Sequence, residues 1–519
     1  MNNSNPYLHQ IENVLPRLLA LYDENSISPT LGLGDRFFWA WKLTDFGNAT
    51  FQGAVHGLAR LIVNDSLPFG IDQKSILERI VRMVKAIKSI QDNNGSLSEA
   101  LPYESSFCVT ALVAYDLLSA VEVLEGIISS DERAEMLSAA SPLIKFLLHH
   151  DEHHGLISNH LATAASALYK HHALTNENSC DRGKVFLDRI LAHQSDEGWY
   201  KEYEGADPGY QSLCTYYLAD LHRLRPDLGL KDSLSKSVRF LWNFAHPDGS
   251  FGGVYGSRST RFYYPAGLEL LRDEIPEAGA LADFMRESIL SRSTVALDTM
   301  DDPNLIPMFN SYCLAAEVFT ESPKSIPALP CHNEELNVLV FPKAGLVVHG
   351  DTEAYTVIST NKGGVCYHFP RESQRSSVKN MGAVYRDKKN RRFSTQAFQQ
   401  KNSIKIEGET IEIWAQLVQP NQSLPDPLKF IVLRVLTLTL LRNSVLNKLI
   451  KKMLVWLLIN RKRHGKVVNH RKINLGRNFM IADEIVGAPA GWSQEEQIGP
   501  FMASHMASQG YWQKQDDSK

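Results

Sequence analysis

Four turn signatures divide the first 325 residues into helical hairpins, and that periodicity restricts what the chain can fold into. They are Gln91-Asp92-Asn93-Asn94-Gly95-Ser96, Asp151-Glu152-His153-His154-Gly155, Gln194-Ser195-Asp196-Glu197-Gly198-Trp199 and His246-Pro247-Asp248-Gly249-Ser250-Phe251. Asp or Asn with Gly makes a tight turn with one residue at positive φ. Between the turns, Ile76–Ile90, Val109–Ile127, Leu137–Leu148, Gly183–Leu191 and Leu234–Phe244 place apolar residues at helical spacing. Intervals of roughly 40–60 residues equal one α-hairpin. Residues 1–325 therefore read as a helical repeat array, either a linear solenoid or a closed α/α toroid.

Near residue 325 the texture changes. Ser322–Pro330 is a Pro-rich linker candidate, and β-rich runs follow at Leu336–Phe341, Gly345–His349, Tyr355–Ser359, Ser403–Ile406 and Thr410–Leu417. An antiparallel β domain over 326–426 is the natural reading, and 519 residues exceed one comfortable core. The fold class is thus α+β multidomain. Residues 427–482 form a further segment, with 483–519 as a C-terminal tail. That segment holds thirteen Lys/Arg and no Asp/Glu around two apolar blocks, Phe430–Leu441 and Met453–Ile459. Neither block reaches the roughly 18–20 apolar residues a membrane-spanning helix needs. Two readings stay open: a basic amphipathic element on an anionic membrane surface, or a β-domain insertion packed internally.

A net charge of −4 gives no general attraction to nucleic acid, so an anionic ligand needs a local cluster. The six cysteines include no C-x-x-C pair, which indicates neither a zinc site nor a disulfide framework. Met1–Pro6 lacks the start of a secretory signal, so a cytoplasmic location is expected, with peripheral contact at the inner membrane as a variant.

Two polar motifs interrupt the helical array. Ser158-Asn159-His160 opens the apolar run Leu161–Tyr169, and Asp207-Pro208-Gly209-Tyr210 opens Ser212–Leu221. Singly, such residues are usually an N-cap Asn, a structural His and a packed Tyr. Their placement at corresponding loop-to-helix junctions of neighbouring hairpins makes them a group. A third junction, Gly256-Ser257-Arg258-Ser259-Thr260-Arg261-Phe262-Tyr263-Tyr264, adds Arg258 and Arg261, which can hold a carboxylate bidentately. Upstream, Trp39 and Trp41 flank Asp45, Asn48, Gln52 and His56. On a helix these four fall at i, i+3, i+7 and i+11, one polar stripe suited to sugar hydroxyls.

The helical array, the β domain, Asn159-His160 and Tyr210 about fifty residues on together resemble the heparinase II/III and alginate-lyase group of polysaccharide lyases. Phe341-Pro342-Lys343-Ala344-Gly345-Leu346 is similar to the start of their β domain. The resemblance spans most of residues 30–400 and implies an α/α toroid with an antiparallel β-sandwich. It also implies β-elimination from a uronate-containing glycan, without metal or organic cofactor. In that chemistry Asn159, with Arg258 or Arg261, neutralises the uronate carboxylate. His160 or Tyr210 takes the proton, and Tyr210 protonates the leaving oxygen. Trp39, Trp41, Asp45, Asn48, Gln52, His56, Arg261 and Tyr264 would bind substrate. Where the family carries a His-rich motif this chain reads Gly363-Gly364-Val365-Cys366-Tyr367-His368-Phe369, leaving His368 as the histidine to reach the cleft.

Two other functions compete with a carbon–oxygen lyase. One is a non-catalytic glycan-binding or polysaccharide-assembly accessory protein at the inner membrane face. The other is a glycoside hydrolase on the same toroid, which needs paired carboxylates. Asp196, Glu197, Glu202, Glu204 and Asp207 are its acid supply.

Overall fold

Three of the turn signatures close with one geometry. Asp92, Ser195 and His246 each donate a backbone N–H across the turn at 2.9 Å and accept one, also at 2.9 Å, from Gly95, Gly198 and Gly249. Gly95 and Gly198 sit at φ of +86° and +100°. A Cβ on them would lie 2.4 Å from the Pro142 carbonyl oxygen and 2.2 Å from that of Lys236. Each glycine therefore lets its turn press against the backbone of the next outer helix.

The computed structural model describes residues 5–68, 70–153, 155–321, 327–372, 377–419, 426–443, 446, 449–450, 453, 463–476, 479–496 and 510–511. Thirteen described α-helices precede the β domain: α1 (Pro6–Leu19), α2 (Arg36–Trp39), α3 (Val55–Val63), α4 (Gln73–Ile90), α5 (Phe107–Val123), α6 (Ser130–His149), α7 (Ser158–Thr175), α8 (Cys180–Ala192), α9 (Pro208–Leu224), α10 (Lys231–Leu241), α11 (Ala266–Leu271), α12 (Pro276–Leu290) and α13 (Asp302–Glu317). Helices α3, α5, α7, α9, α11 and α13 pack in succession, and α13 returns against α3. The ring closes, so the array is an α/α toroid and not a linear solenoid.

Sequence texture assigns the layers. In α5 every residue from Val109 to Val121 is buried, as suits an inner helix covered on all sides. Outer helix α4 buries the single stripe Ile76, Ile80, Met83, Val84 and Ile87. Within the ring, Lys170 pairs with Asp220 at 3.1 Å and the Tyr115 hydroxyl donates to Asp220 at 2.7 Å. Lys170, Arg223 and Arg60 hold the Asp220 carboxyl far below the usual range despite its burial.

The polar stripe over 45–56 does not form. Between α1 and residue 49 only α2 is helical, and Ala49–Ala54 is a 3-10 turn leading into α3. Asn48 caps that turn, accepting from the Thr50 N–H at 2.9 Å, so the helix cannot extend back through Asp45.

The second region comprises β1 (Asn337–Phe341), β2 (Leu346–Gly350), β3 (Ala354–Ser359), β4 (Val365–Pro370), β5 (Val378–Asn380), β6 (Val384–Arg386), β7 (Arg392–Ser394), β8 (Ser403–Glu407), β9 (Thr410–Gln419), β10 (Arg463–Asn474), β11 (Met480–Val486) and β12 (Ser493–Gln494). One antiparallel sheet runs β1-β2-β3-β4-β5. The other runs β11-β10-β9-β7-β6-β12, with β8 on β9. Strand alternation divides the first sheet's faces. Val348, Tyr355, Val357, Tyr367 and Phe369 join the toroid core, while Val347, Ile358 and Cys366 pack on Ile411, Ile413 and Ile473 of the second sheet.

The basic segment divides in two. Its first part is α14 (Pro427–Leu438), which buries only Thr437. Its later part is β10, paired between β9 and β11, and the expected boundary at 482 falls inside β11. Inward-facing Arg471 hides this strand in the sequence. Its charge is met by Asp483 at 2.7 Å and by the Gly364 carbonyl at 2.9 Å. Linker residues 322–326, and the block Met453–Ile459 apart from Met453, lie outside the described residues. Among the described residues no helix is long and apolar enough to cross a membrane.

Candidate active site

The N-terminus of inner helix α7 is tied to the loop that follows the third turn signature. Ser158 donates its N–H to the Lys201 carbonyl at 3.1 Å and its hydroxyl to the same oxygen at 2.8 Å. One residue on, the Asn159 N–H reaches Glu202 Oε1 at 3.0 Å and its amide Nδ2 reaches Oε2 at 2.8 Å. Burial pushes the Glu202 carboxyl up to about 8, against these two hydrogen bonds, which favour the charged form. His160 sets its Nδ1 2.7 Å from Glu152 Oε2. A carboxylate there favours the Nδ1–H tautomer and leaves Nε2 as a lone-pair acceptor.

The N-terminus of α9 is held by the next loop. Asp207 caps the helix, accepting from the Tyr210 N–H at 3.2 Å, and also accepts from the Arg258 N–H at 2.9 Å and from the Thr260 hydroxyl. A Cβ at Gly256 would lie 2.7 Å from Asp207 Oδ2, so glycine lets the loop fold around the cap. This brings Arg258 over the Tyr203 ring, 3.7 Å from its centroid, with Nε buried and unpartnered. Tyr203 holds a left-handed φ of +58° in that loop. Tyr210 packs edge-on against Phe262 at 5.4 Å, and Phe262 packs edge-on against Tyr264 at 5.4 Å. Burial lifts the Tyr210 phenol well above its ordinary range, helped by Tyr203, Tyr264, Asp207 and Glu202.

Asn159, His160, Tyr210, Arg258 and Tyr264 thus belong to one neighbourhood. The rest of the expected set lies elsewhere or is engaged otherwise. Trp39 donates its indole N–H to the Leu21 carbonyl at 2.8 Å, Trp41 is exposed, and Asp45 pairs with Arg434 at 2.5 Å. Gln52 is buried, and its side-chain amide accepts from the Gly34 N–H and donates to the Gly32 and Met83 carbonyls. His56 is buried against Asp116 and Arg60, and burial with the Arg60 charge holds it well below its ordinary pKa. Arg261 lies toward Tyr511 and His246.

His368 points the other way. Strand alternation sends Tyr367 to the toroid, where its hydroxyl accepts from the Val254 N–H at 3.2 Å. His368 therefore faces the second sheet, stacked on Phe479 at 3.7 Å and bonded to Thr356 at 2.8 Å. The β domain presents a different cation to the toroid. Lys362, in the β3–β4 turn, is buried and donates to the Val254 carbonyl at 2.7 Å. Glu152, Tyr203 and Lys362 were not expected from sequence as site residues, and Glu202 only as one of the acids open to a hydrolase. Their common signal is position, since each lies in or beside a Gly-marked turn that feeds a helix or strand of the site.

The acids open to a hydrolase are largely engaged in structure. Glu197 accepts the N–H groups of Lys343 and Ala344 at 2.7 and 2.9 Å, and Asp196 pairs with Lys343 at 2.8 Å, fastening the β domain to the toroid.

No protein-family model matches the chain, and no curated protein matches it. Solved structures do match. Heparinase III aligns over 93% of this chain and 71% of its own, at 11% identity and a TM-score of 0.54. A chondroitin AC lyase of Streptomyces coelicolor A3, solved in complex with chondroitin sulphate, aligns over 92% of this chain and 66% of its own, at 9% identity and a TM-score of 0.51. A cellobiose 2-epimerase from Bacillus thermoamylovorans B4167 aligns over 61% of this chain and 99% of its own, at 10% identity and a TM-score of 0.44. At such identities the likeness is one of architecture: the chain has the heparinase III-like polysaccharide-lyase fold, an α/α toroid followed by an antiparallel β domain.

Proposed function

We propose that the protein is a polysaccharide lyase that cleaves a uronate-containing glycan by β-elimination. The observation that carries this reading is the His160–Glu152 contact at 2.7 Å, beside an Asn and an Arg suited to a carboxylate. A base oriented by a carboxylate is what proton abstraction requires. His160 Nε2 takes the proton alpha to the uronate carboxylate. The second amide hydrogen of Asn159 and the Arg258 guanidinium bind that carboxylate, with hydrogen bonds that strengthen as enolate charge develops. The electron pair then forms the ring double bond and expels the glycosidic oxygen, which receives the Tyr210 proton. Burial keeps that phenol protonated, which suits it as the acid and favours His160 as the base. Glu202, neutral below about 8, spares an anionic sugar from repulsion. The elimination needs no cofactor.

Peripheral contact with an anionic membrane is the second element of this reading. It draws on α14, where Leu428 is 71% exposed and Phe430, Ile431, Val432 and Val435 are all more than half exposed, in a segment whose thirteen charged side chains are all cationic. On that surface a cytoplasmic protein would meet a glycan being assembled. If catalysis is absent, the same features suit a glycan-binding accessory protein.

The test is product chemistry on a panel of uronate polymers. Ultraviolet absorbance of an unsaturated uronate supports the lyase. Reducing sugar without absorbance indicates a hydrolase, and binding without either product indicates the accessory role.

A further inference from the structure

Away from that site, a histidine and two carboxylates converge between the two sheets with no hydrogen bond joining them. His349 lies on β2, Asp351 follows that strand, and Glu409 occupies the β8–β9 turn of the other sheet. One donor atom from each lies within 4.8 Å of the others. His349 shares a strand face with Val347, which packs in the core between the sheets, so the imidazole projects toward the second sheet.

The imidazole is otherwise unexplained. Its side chain is 3% exposed, yet Nδ1 is buried without a partner and Nε2 lies 3.7 Å from Asp351 Oδ2. That separation is too long for a hydrogen bond. It matches the ~3.4–3.6 Å between two donors that each sit ~2.1 Å from one ion at 110–120°. Imidazole nitrogens inside a protein are ordinarily paired, and an ion on Nε2 would give this ring the partner it lacks on the side of the acids.

The surroundings are arranged to the same end. Asp351 Oδ1 accepts the N–H groups of Glu353 and Ala354 at 2.8 and 2.7 Å, which fixes the carboxylate with Oδ2 toward His349. Gly476, in the β10–β11 loop at φ +71°, leaves open the space where the acids meet. A Cβ there would lie 3.0 Å from Glu409 Oε2 and 3.4 Å from Asp351 Oδ2. Glu409 is exposed, so solvent reaches the cluster from its side.

We propose that His349, Asp351 and Glu409 bind a divalent first-row transition ion, of which Zn2+ fits the mixed nitrogen and oxygen set best, and that this ion ties the two sheets together. The ion is structural and separate from the elimination chemistry, so either proposal can fail alone.

The test uses the full chain stripped with chelator, titrated with Zn2+ by calorimetry and melted with and without Zn2+. Wild type should bind one Zn2+ at this site and melt at a higher temperature with it. Glu409→Gln, on an exposed turn, should keep the metal-free melting temperature and lose the Zn2+-dependent rise. Its affinity should fall at least about tenfold, the smallest loss seen even for residues one step behind a metal ligand. His349→Gln should do the same. Zn2+ binding and a melting rise that persist in both variants overturn the proposal. So does an equal rise with Ca2+, which would describe an all-oxygen site without His349.

Discussion

Asn159 and Glu202 are joined by two hydrogen bonds, from the Asn159 N–H to Oε1 at 3.0 Å and from its Nδ2 to Oε2 at 2.8 Å. Glu202 thereby fixes the rotamer of the amide that would meet the substrate carboxylate, while burial keeps it largely uncharged near neutrality. Positioning and charge are set by one side chain.

The first prediction concerns pH. Glu202 has a folded pKa of about 8 against an ordinary 4.5, so the folded state retains a proton that the unfolded state releases. Its stabilising contribution is complete below about 4.5 and is lost as pH rises through about 8. At about 1.4 kcal/mol per unit, the loss amounts to a few kcal/mol. Denaturant midpoints at pH 5, 7 and 9 should fall in wild type and fall much less in Glu202→Gln. Equal slopes would mean that Glu202 does not hold the proton.

Tyr210→Phe removes the proposed acid but keeps the ring against Phe262. Turnover should drop by roughly 10²–10⁴-fold, the usual worth of general acid–base help, with glycan binding retained. Single-turnover rates and binding isotherms measured on one preparation check this. Wild-type turnover would remove Tyr210 from the mechanism.

Arg258→Met removes a guanidinium stacked on Tyr203. The weakened carboxylate contact should raise KM for a uronate substrate about 10–100-fold, the equivalent of one charged hydrogen bond. A carboxyl-reduced glycan should bind wild type and variant alike. A variant equally impaired toward both glycans would assign Arg258 to loop structure.

For α14, the full chain should co-sediment with vesicles rich in anionic lipid, and salt should release it. Phe430→Asp together with Ile431→Asp should weaken that binding. Sedimentation indifferent to lipid charge would mean that the exposed apolar face meets something other than a membrane.

The toroid and its partner sheets were legible because their signals are periodic. Apolar spacing marked α4, α5 and α6, and the Asp/Asn-Gly turns marked the joints. The β-rich runs Tyr355–Ser359 and Thr410–Leu417, bounded by turn residues, marked β3 and β9. Strand β10 was hidden because Arg471 faces inward, where its charge is met by Asp483, a partner twelve residues on across a turn. Within the candidate site, Asn159, His160, Tyr210 and Arg258 were readable as helix-start and loop residues. Glu152 and Glu202 were not singled out as their partners, since nothing local says that a loop carboxylate will fold back onto a particular helix end. Gln52 and His56 misled for the opposite reason. A stripe of polar residues implies a surface only if the segment is one helix, and the cap at Asn48 prevents that.

The most direct test of the account is a side-by-side time course of unsaturated-uronate absorbance for wild type, Glu152→Gln and His160→Ala on the best uronate polymer. The account predicts absorbance from wild type, a slower rise from Glu152→Gln, and none above background from His160→Ala. Absorbance from His160→Ala at the wild-type rate, or reducing ends from wild type without absorbance, would contradict it.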